Sequence, residues 1–168
     1  MPLPTTLDYP ALYQARELLL GRGLAVLAVW ALLNLLVSGY YLARADRRYE
    51  PYYFHGMNVG WGLVNAALAC WGVLHLHLLA PPGLRAADLV QSQLFNENLF
   101  ILNSGLDVAY VTAGFWLRAL ALAPDRAQPV RLLGFGRSLW WQGGFLLGFD
   151  ALMWSLLHGL DQAWLPLL

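Results

Sequence analysis

Four apolar blocks alternate with short charged connectors along the chain, at 23–42, 57–79, 99–122 and 138–160. A helix needs about 20 apolar residues to cross the hydrocarbon core of a bilayer, and each block has that length. Open strands cannot cross lipid, because their backbone groups go unpaired there. Barrel strands would alternate with period two, and these blocks do not. The pattern predicts an all-α chain of four transmembrane helices in a single membrane domain, residues 1–168. The connectors agree. "ARADRRYEPYY" and "APDRAQPVRLLGFGR" are charged and carry Pro51, Pro124 and Pro129, and "APPGLRAADLVQSQLFNEN" opens on Pro81, Pro82 and Gly83. Residues 9–20 and 86–98 read as interfacial helices, or as flanks that extend the spans.

Composition sharpens this picture. The chain is 59% hydrophobic and 12% charged, against about 25% charged in an ordinary soluble domain. Mean hydropathy is +0.50. Ten basic residues, all Arg, balance ten acids, and no basic patch with interleaved aromatics points to nucleic acid. The single cysteine, Cys70, lies in an apolar run and reads as a buried packing thiol. The connectors after the first and third blocks hold Arg44, Arg47, Arg48, Arg118, Arg126, Arg131 and Arg137. Only Arg16, Arg22 and Arg85 lie on the other side. The positive-inside rule then puts both short loops in the cytoplasm and both termini outside.

The blocks also resemble one another in pairs. "SGYYLAR" ends the first and "AGFWLR" the third; "WGVLH" ends the second and "WSLLH" the fourth. Two helical hairpins related by an approximate internal twofold account for this spacing.

Polar residues interrupt each block once near its centre: Asn34, Asn65, Asp107 and Asp150. A carboxylate facing lipid costs roughly 2.5–3.5 kcal/mol on insertion scales, so these groups should face one another. Helical spacing puts Asn103, Asp107, Tyr110 and Gly114 on one face, and Asn58, Trp61 and Asn65 on another. Gln142 and Asp150 both reach the interior, and Asn58 and Gln142 fall in its cytoplasmic half, with His55 near the mouth. Gly56-xxx-Gly60 and Gly144-xxx-Gly148 predict close helix approach. The candidate ligand-binding set is therefore Asn34, Asn58, Asn65, Asn103, Asp107, Tyr110, Gln142 and Asp150. Asp107, with Asn103 and Tyr110 on its face, is expected to matter most, and Asp150 to be the neutral carboxyl.

Other chemistry is weaker. His75 and His158 end the second and fourth blocks and read as interfacial anchors, so no haem, metal or other cofactor is expected. "GLD" and "GFD" lack the first Gly of the GxGD motif of intramembrane aspartyl proteases. No GxSxG, HExxH or phosphate-binding Gly loop occurs.

"WALLNLLVSG", "YFHGMNVGWGLVNAAL", "LNSGLDVAYVTAGFWL" and "GFGRSLWWQGGFLLGFDALMW" resemble an uncharacterised family of small four-span bacterial membrane proteins. The resemblance runs from about Arg22 to His158 and implies a bacterial inner-membrane protein with no assigned activity. Where that family reads Trp-Asn, this chain has Trp61-Gly62.

Three functions stay open. The first is binding or proton-coupled transport of a small molecule or ion, with a homo-oligomer needed if four helices leave too narrow a path. The second is an intramembrane enzyme acting on a lipid-linked substrate. The third is an assembly subunit in which the polar layer is hydrogen-bond glue. A carrier requires a cavity reaching Asp107 from one side. An enzyme requires a lateral opening with a polar pocket beside a carboxylate. A structural subunit requires every midplane group paired and no cavity.

Overall fold

A computed structural model describes residues 9–164, with side chains described over 9–160. It is all-helical there, with four helices: α1 Tyr9–Leu42, α2 Glu50–Leu74, α3 Ala86–Ala121 and α4 Pro129–Trp164. Each contains a stretch long and apolar enough to cross a membrane. Residues 9–20 and 86–98 are not separate elements. They are the first turns of α1 and α3, each continuous with its span. Block two ends early: α2 stops at Leu74, and 75–79 leave the helix.

Local chemistry sets the ends. Pro51 sits in the first turn of α2 and Pro129 opens α4, where a missing N–H costs nothing. At the start of α3, Asp88 accepts the backbone N–H of Arg85 at 3.1 Å and its guanidinium at 2.9 Å. Gly83, in the turn before it, has φ +76°, which favours a residue without a Cβ.

Burial is inverted relative to a domain dissolved in water. Among the described residues, twelve polar or charged residues are buried against eight apolar ones, while Leu36, Leu63, Leu102 and Phe115 are exposed. Such a molecule keeps its polar groups inside and presents hydrocarbon outward. Cys70 follows the rule and corrects its expectation: it is exposed on α2.

The helices pack unevenly. α3 lies along α4 for most of its length, α1 packs on α2, and α2 also packs on α4. α1 barely meets α3, and the backbones of α2 and α3 stay apart, with Trp61 of α2 and Tyr110 of α3 meeting across the space between them. Glycine makes the α3–α4 crossing close. A Cβ on Gly114 would stand 2.7 Å from the Gly136 carbonyl oxygen, and one on Gly143 would stand 3.1 Å from that of Asp107. Gly134 abuts the backbone of Glu50 and Phe54 in the same way. The GxxxG pairs do not serve this purpose. Gly60, Gly144 and Gly148 face open space, and Gly56 is in ordinary contact with Leu42. Spacing alone does not reveal which glycines lie on the buried face.

Candidate functional site

The eight polar residues singled out in the sequence fall into two groups. The first lies toward the Arg-rich end. Gln142 is fully buried, and its amide nitrogen donates to Asn34 Oδ1 at 2.7 Å and to Asn58 Oδ1 at 2.9 Å. Trp30 Nε1 donates to Gln142 Oε1 at 2.9 Å. Ser138 donates to Asn58 Oδ1 at 2.6 Å, and Asn34 Nδ2 donates to the Trp30 carbonyl at 2.8 Å. This network joins α1, α2 and α4. Over Asn34–Ser38 helix α1 widens into a π turn, and both Asn34 and Ser38 are buried there. Ser38 Oγ meets His55 Nδ1 at 3.2 Å. Such single-turn bulges inside α-helices are rare.

The second group is Asn65, Asn103, Asp107, Tyr110 and Asp150. These residues line an elongated slot of about 690 Å³ that all four helices border. The slot exists because the backbones of α2 and α3 stay apart, with Trp61 and Tyr110 in ring contact near one end of it. On α3 it extends from Ser92 to Tyr110, about 27 Å at 1.5 Å per residue. Its walls are apolar, from Leu24, Leu27, Leu68, Leu99, Leu146 and Met153. Exposed Val64 and Leu68 of α2, and exposed Phe95, Leu99 and Leu106 of α3, flank the gap, so the slot opens sideways.

The floor is the carboxyl pair. Asp107 of α3 and Asp150 of α4 are both buried and within hydrogen-bonding reach of each other. A carboxylate only accepts, so two carboxyls bond directly only when one of them holds a proton. Among the described residues Asp107 Oδ2 meets no N–H or hydroxyl donor, and Asn65 Nδ2 has no acceptor. The two layers thus differ in kind: the Gln142 network is closed, and the Asp107 layer keeps unused polar capacity beside a cavity.

A third polar cluster lies at the far end; apart from His75 and His158, its residues were not singled out from sequence. Arg16 is buried beside Glu17, 3.2 Å away. Its guanidinium also donates to the Leu89 carbonyl at 3.4 Å and to Ser92 Oγ. Glu17 accepts the backbone N–H of His77 at 3.2 Å. Buried Gln93 donates to Glu97 at 3.0 Å and to the Leu157 carbonyl at 2.8 Å. His158 Nδ1 lies 3.3 Å from Glu97 Oε2 and its ring stacks on Trp154. His75 packs on Trp71, with Nδ1 2.8 Å from the Trp71 carbonyl. The signal was present. Stepping back from Asp107 by three or four residues along α3 gives Asn103, Phe100, Glu97 and Gln93 on one continuous stripe.

Residues 26–151 match the model of a family of unknown function (DUF6992). The chain belongs to this family. The matched stretch contains both polar layers and leaves out Arg16, Glu17 and His158. No curated protein and no solved structure matches the chain.

Proposed function

We propose that this DUF6992 chain is a four-span protein of the bacterial inner membrane, with both termini outside, that binds a small molecule in the slot and exchanges protons at Asp107 and Asp150. Inverted burial and the Arg distribution support the membrane placement. The observation that carries the functional reading is a cavity ending on two buried carboxyls, one with an oxygen that meets no N–H or hydroxyl donor. A pure scaffold would leave neither. The ligand-facing set is then Asn65, Asn103, Asp107, Tyr110 and Asp150, while Asn34, Asn58 and Gln142 act as interhelical glue. The matching ring contacts Trp71–His75 and Trp154–His158 support reading the chain as two related hairpins.

A second reading draws on the sideways opening: an enzyme acting on a lipid-borne substrate, with the two carboxyls as acid and base. It uses the same floor and the same gap between α2 and α3.

Carbodiimide chemistry tests the common core. A carbodiimide such as dicyclohexylcarbodiimide attacks protonated carboxyls in apolar surroundings. Applied to membrane vesicles, it should modify Asp107 or Asp150, and the label should disappear in the Asp107→Asn/Asp150→Asn double variant. A wild-type chain unlabelled at both positions would refute an accessible protonated floor.

A further inference from the structure

The slot has a charge pattern as well as a shape. Around its floor, α1 contributes Leu20, Gly23, Leu24 and Leu27, and α2 contributes Trp61, Val64, Asn65 and Leu68. None of these is charged. The titratable groups facing the pair are each other and the Tyr110 phenol. The basic group among the lining residues, Arg16, sits at the far mouth beside Ser92. Ser92 and Asp107 are fifteen residues apart on α3, about 22 Å. Arg16 is already engaged by Glu17, Leu89 and Ser92. His75 lies at the same far end. Among the described residues the two carboxyls therefore have no basic partner, although buried carboxylates ordinarily have one.

Aromatic rings border the same place. Trp61 and Tyr110 meet edge to face with centroids 5.0 Å apart. Phe100 and Phe149 do so at 6.4 Å. All four line the slot. Ring faces beside a carboxylate attract an ammonium centre, most strongly where water is excluded. Asn65 adds an independent sign of a missing ligand. It is only 2% exposed, it lines the slot, and its Nδ2 has no acceptor.

The dimensions set the body of the ligand. A volume of about 690 Å³ over about 27 Å gives a mean section of about 26 Å². Carbons in contact sit about 4 Å apart, so one extended chain fills about 16–20 Å². The slot is long and wide enough to admit one extended chain along its length.

Resting on the slot reading above, we propose that the ligand is a single-chain lipophilic ammonium, its positive centre seated against the Asp107–Asp150 pair and its chain lying along the slot. Charge balances through the shared proton. The cation binds, the protonated carboxyl releases H⁺ to the water at the mouth, and the pair holds the cation in its place. Binding and proton release are thus one exchange, which is what a proton-coupled carrier of such amines requires.

Matched twelve-carbon amphiphiles test this: dodecyltrimethylammonium, dodecanol and dodecanoate, each below its micellar concentration. The protein is held in lipid nanodiscs, and empty nanodiscs give the partition baseline. Dodecyltrimethylammonium should bind saturably above that baseline, with release of one proton read by a pH dye. Asp107→Asn and Asp150→Asn, which keep the side-chain shape, should each weaken binding at least tenfold. The alcohol and the carboxylate should not displace the cation. Unchanged cation binding in both variants, or tighter binding of dodecanoate, would overturn the charge assignment. In the second case the head would be at Arg16. If dodecanol or dodecanoate protects Asp107 from carbodiimide while the ammonium does not, the slot stands as a binding site and the ammonium class falls. If no carbodiimide label forms at all, the slot reading itself falls.

Discussion

Gln142 on α4 donates to Asn34 on α1 at 2.7 Å, across 108 residues of sequence. The same side chain accepts from Trp30 and donates to Asn58. One amide thus ties three helices together. Interhelical hydrogen bonds in membranes average about 0.6 kcal/mol, so three sum to about 2 kcal/mol. Gln142→Ala should destabilise the protein by about that much. Thermal unfolding in detergent would show it, and an unchanged melting temperature would remove the network from the list of stabilising features.

Close backbone crossing predicts a contrast among glycines. Gly114→Ala puts a methyl group 2.7 Å from a backbone carbonyl oxygen, where no flexible side chain can yield. Overpacking of this kind costs about 1–3 kcal/mol. Gly148→Ala adds a methyl in open space and should be neutral or mildly stabilising. Equal melting temperatures for the two variants would contradict the α3–α4 packing.

The carboxyl pair should behave as a unit. Asp107→Asn and Asp150→Asn each replace a carboxyl by an amide that can still bond the remaining carboxyl. Contacting residues couple by about 0.5–3 kcal/mol, so the double variant should depart from additivity by at least the lower figure. A double-mutant cycle on unfolding free energy measures this. Strict additivity would mean that the two side chains act separately.

Arg16 holds the far ends of α1 and α3 together. Arg16→Ala removes the bonds to Leu89 and Ser92 and leaves Glu17 buried without its cation. Breaking a buried pair from one side costs about 3 kcal/mol. Spin labels at Leu18 and Leu94, both exposed, should move apart or broaden in their distance distribution. An unaltered distribution would show that other contacts suffice.

Topology follows from the Arg-rich connectors. An alkaline phosphatase fused after Leu168 should be active and a cytoplasmic reporter at the same point inactive. The reverse pattern would invert the orientation and put the mouth of the slot in the cytoplasm.

Much of the fold was legible because hydrocarbon length and charge placement are one-dimensional signals. Each of the four helices carries one of the four apolar blocks, the second without its last five residues. Asp107 and Asp150 stood out for the same reason, as charges where charge is costly. What sequence did not resolve is angular. Asn34 and Asn65 both lie near the middle of their blocks, yet Asn34 turns to Gln142 while Asn65 faces the slot. The π turn at Asn34–Ser38 shifts helical phase by a residue, and no local propensity marks it. Arg16, Glu17, Gln93 and Glu97 sit in segments whose composition reads as polar flank, and their burial depends on how far α1 and α3 extend beyond the apolar blocks. Cys70 and the GxxxG glycines failed for a related reason. An apolar block has an outer face as well as an inner one, and residue type alone does not say which is which.

The wide spacing of the α2 and α3 backbones has a mechanical consequence. The α1–α2 half and the α3–α4 half are joined along α2 and α4, with α1 also tied to α4 through Gln142 toward the Arg-rich end, as two covers share a spine. The closed network of Asn58, Ser138 and Gln142 stitches that spine near the Arg-rich end. Opposite it, at the far end, Arg16 is a clasp across the open edges. Swinging the covers apart breaks the clasp and leaves the stitching intact. The least costly large motion of this chain is therefore one that exposes Asp107 and Asp150 to the far side and keeps the Arg-rich side shut.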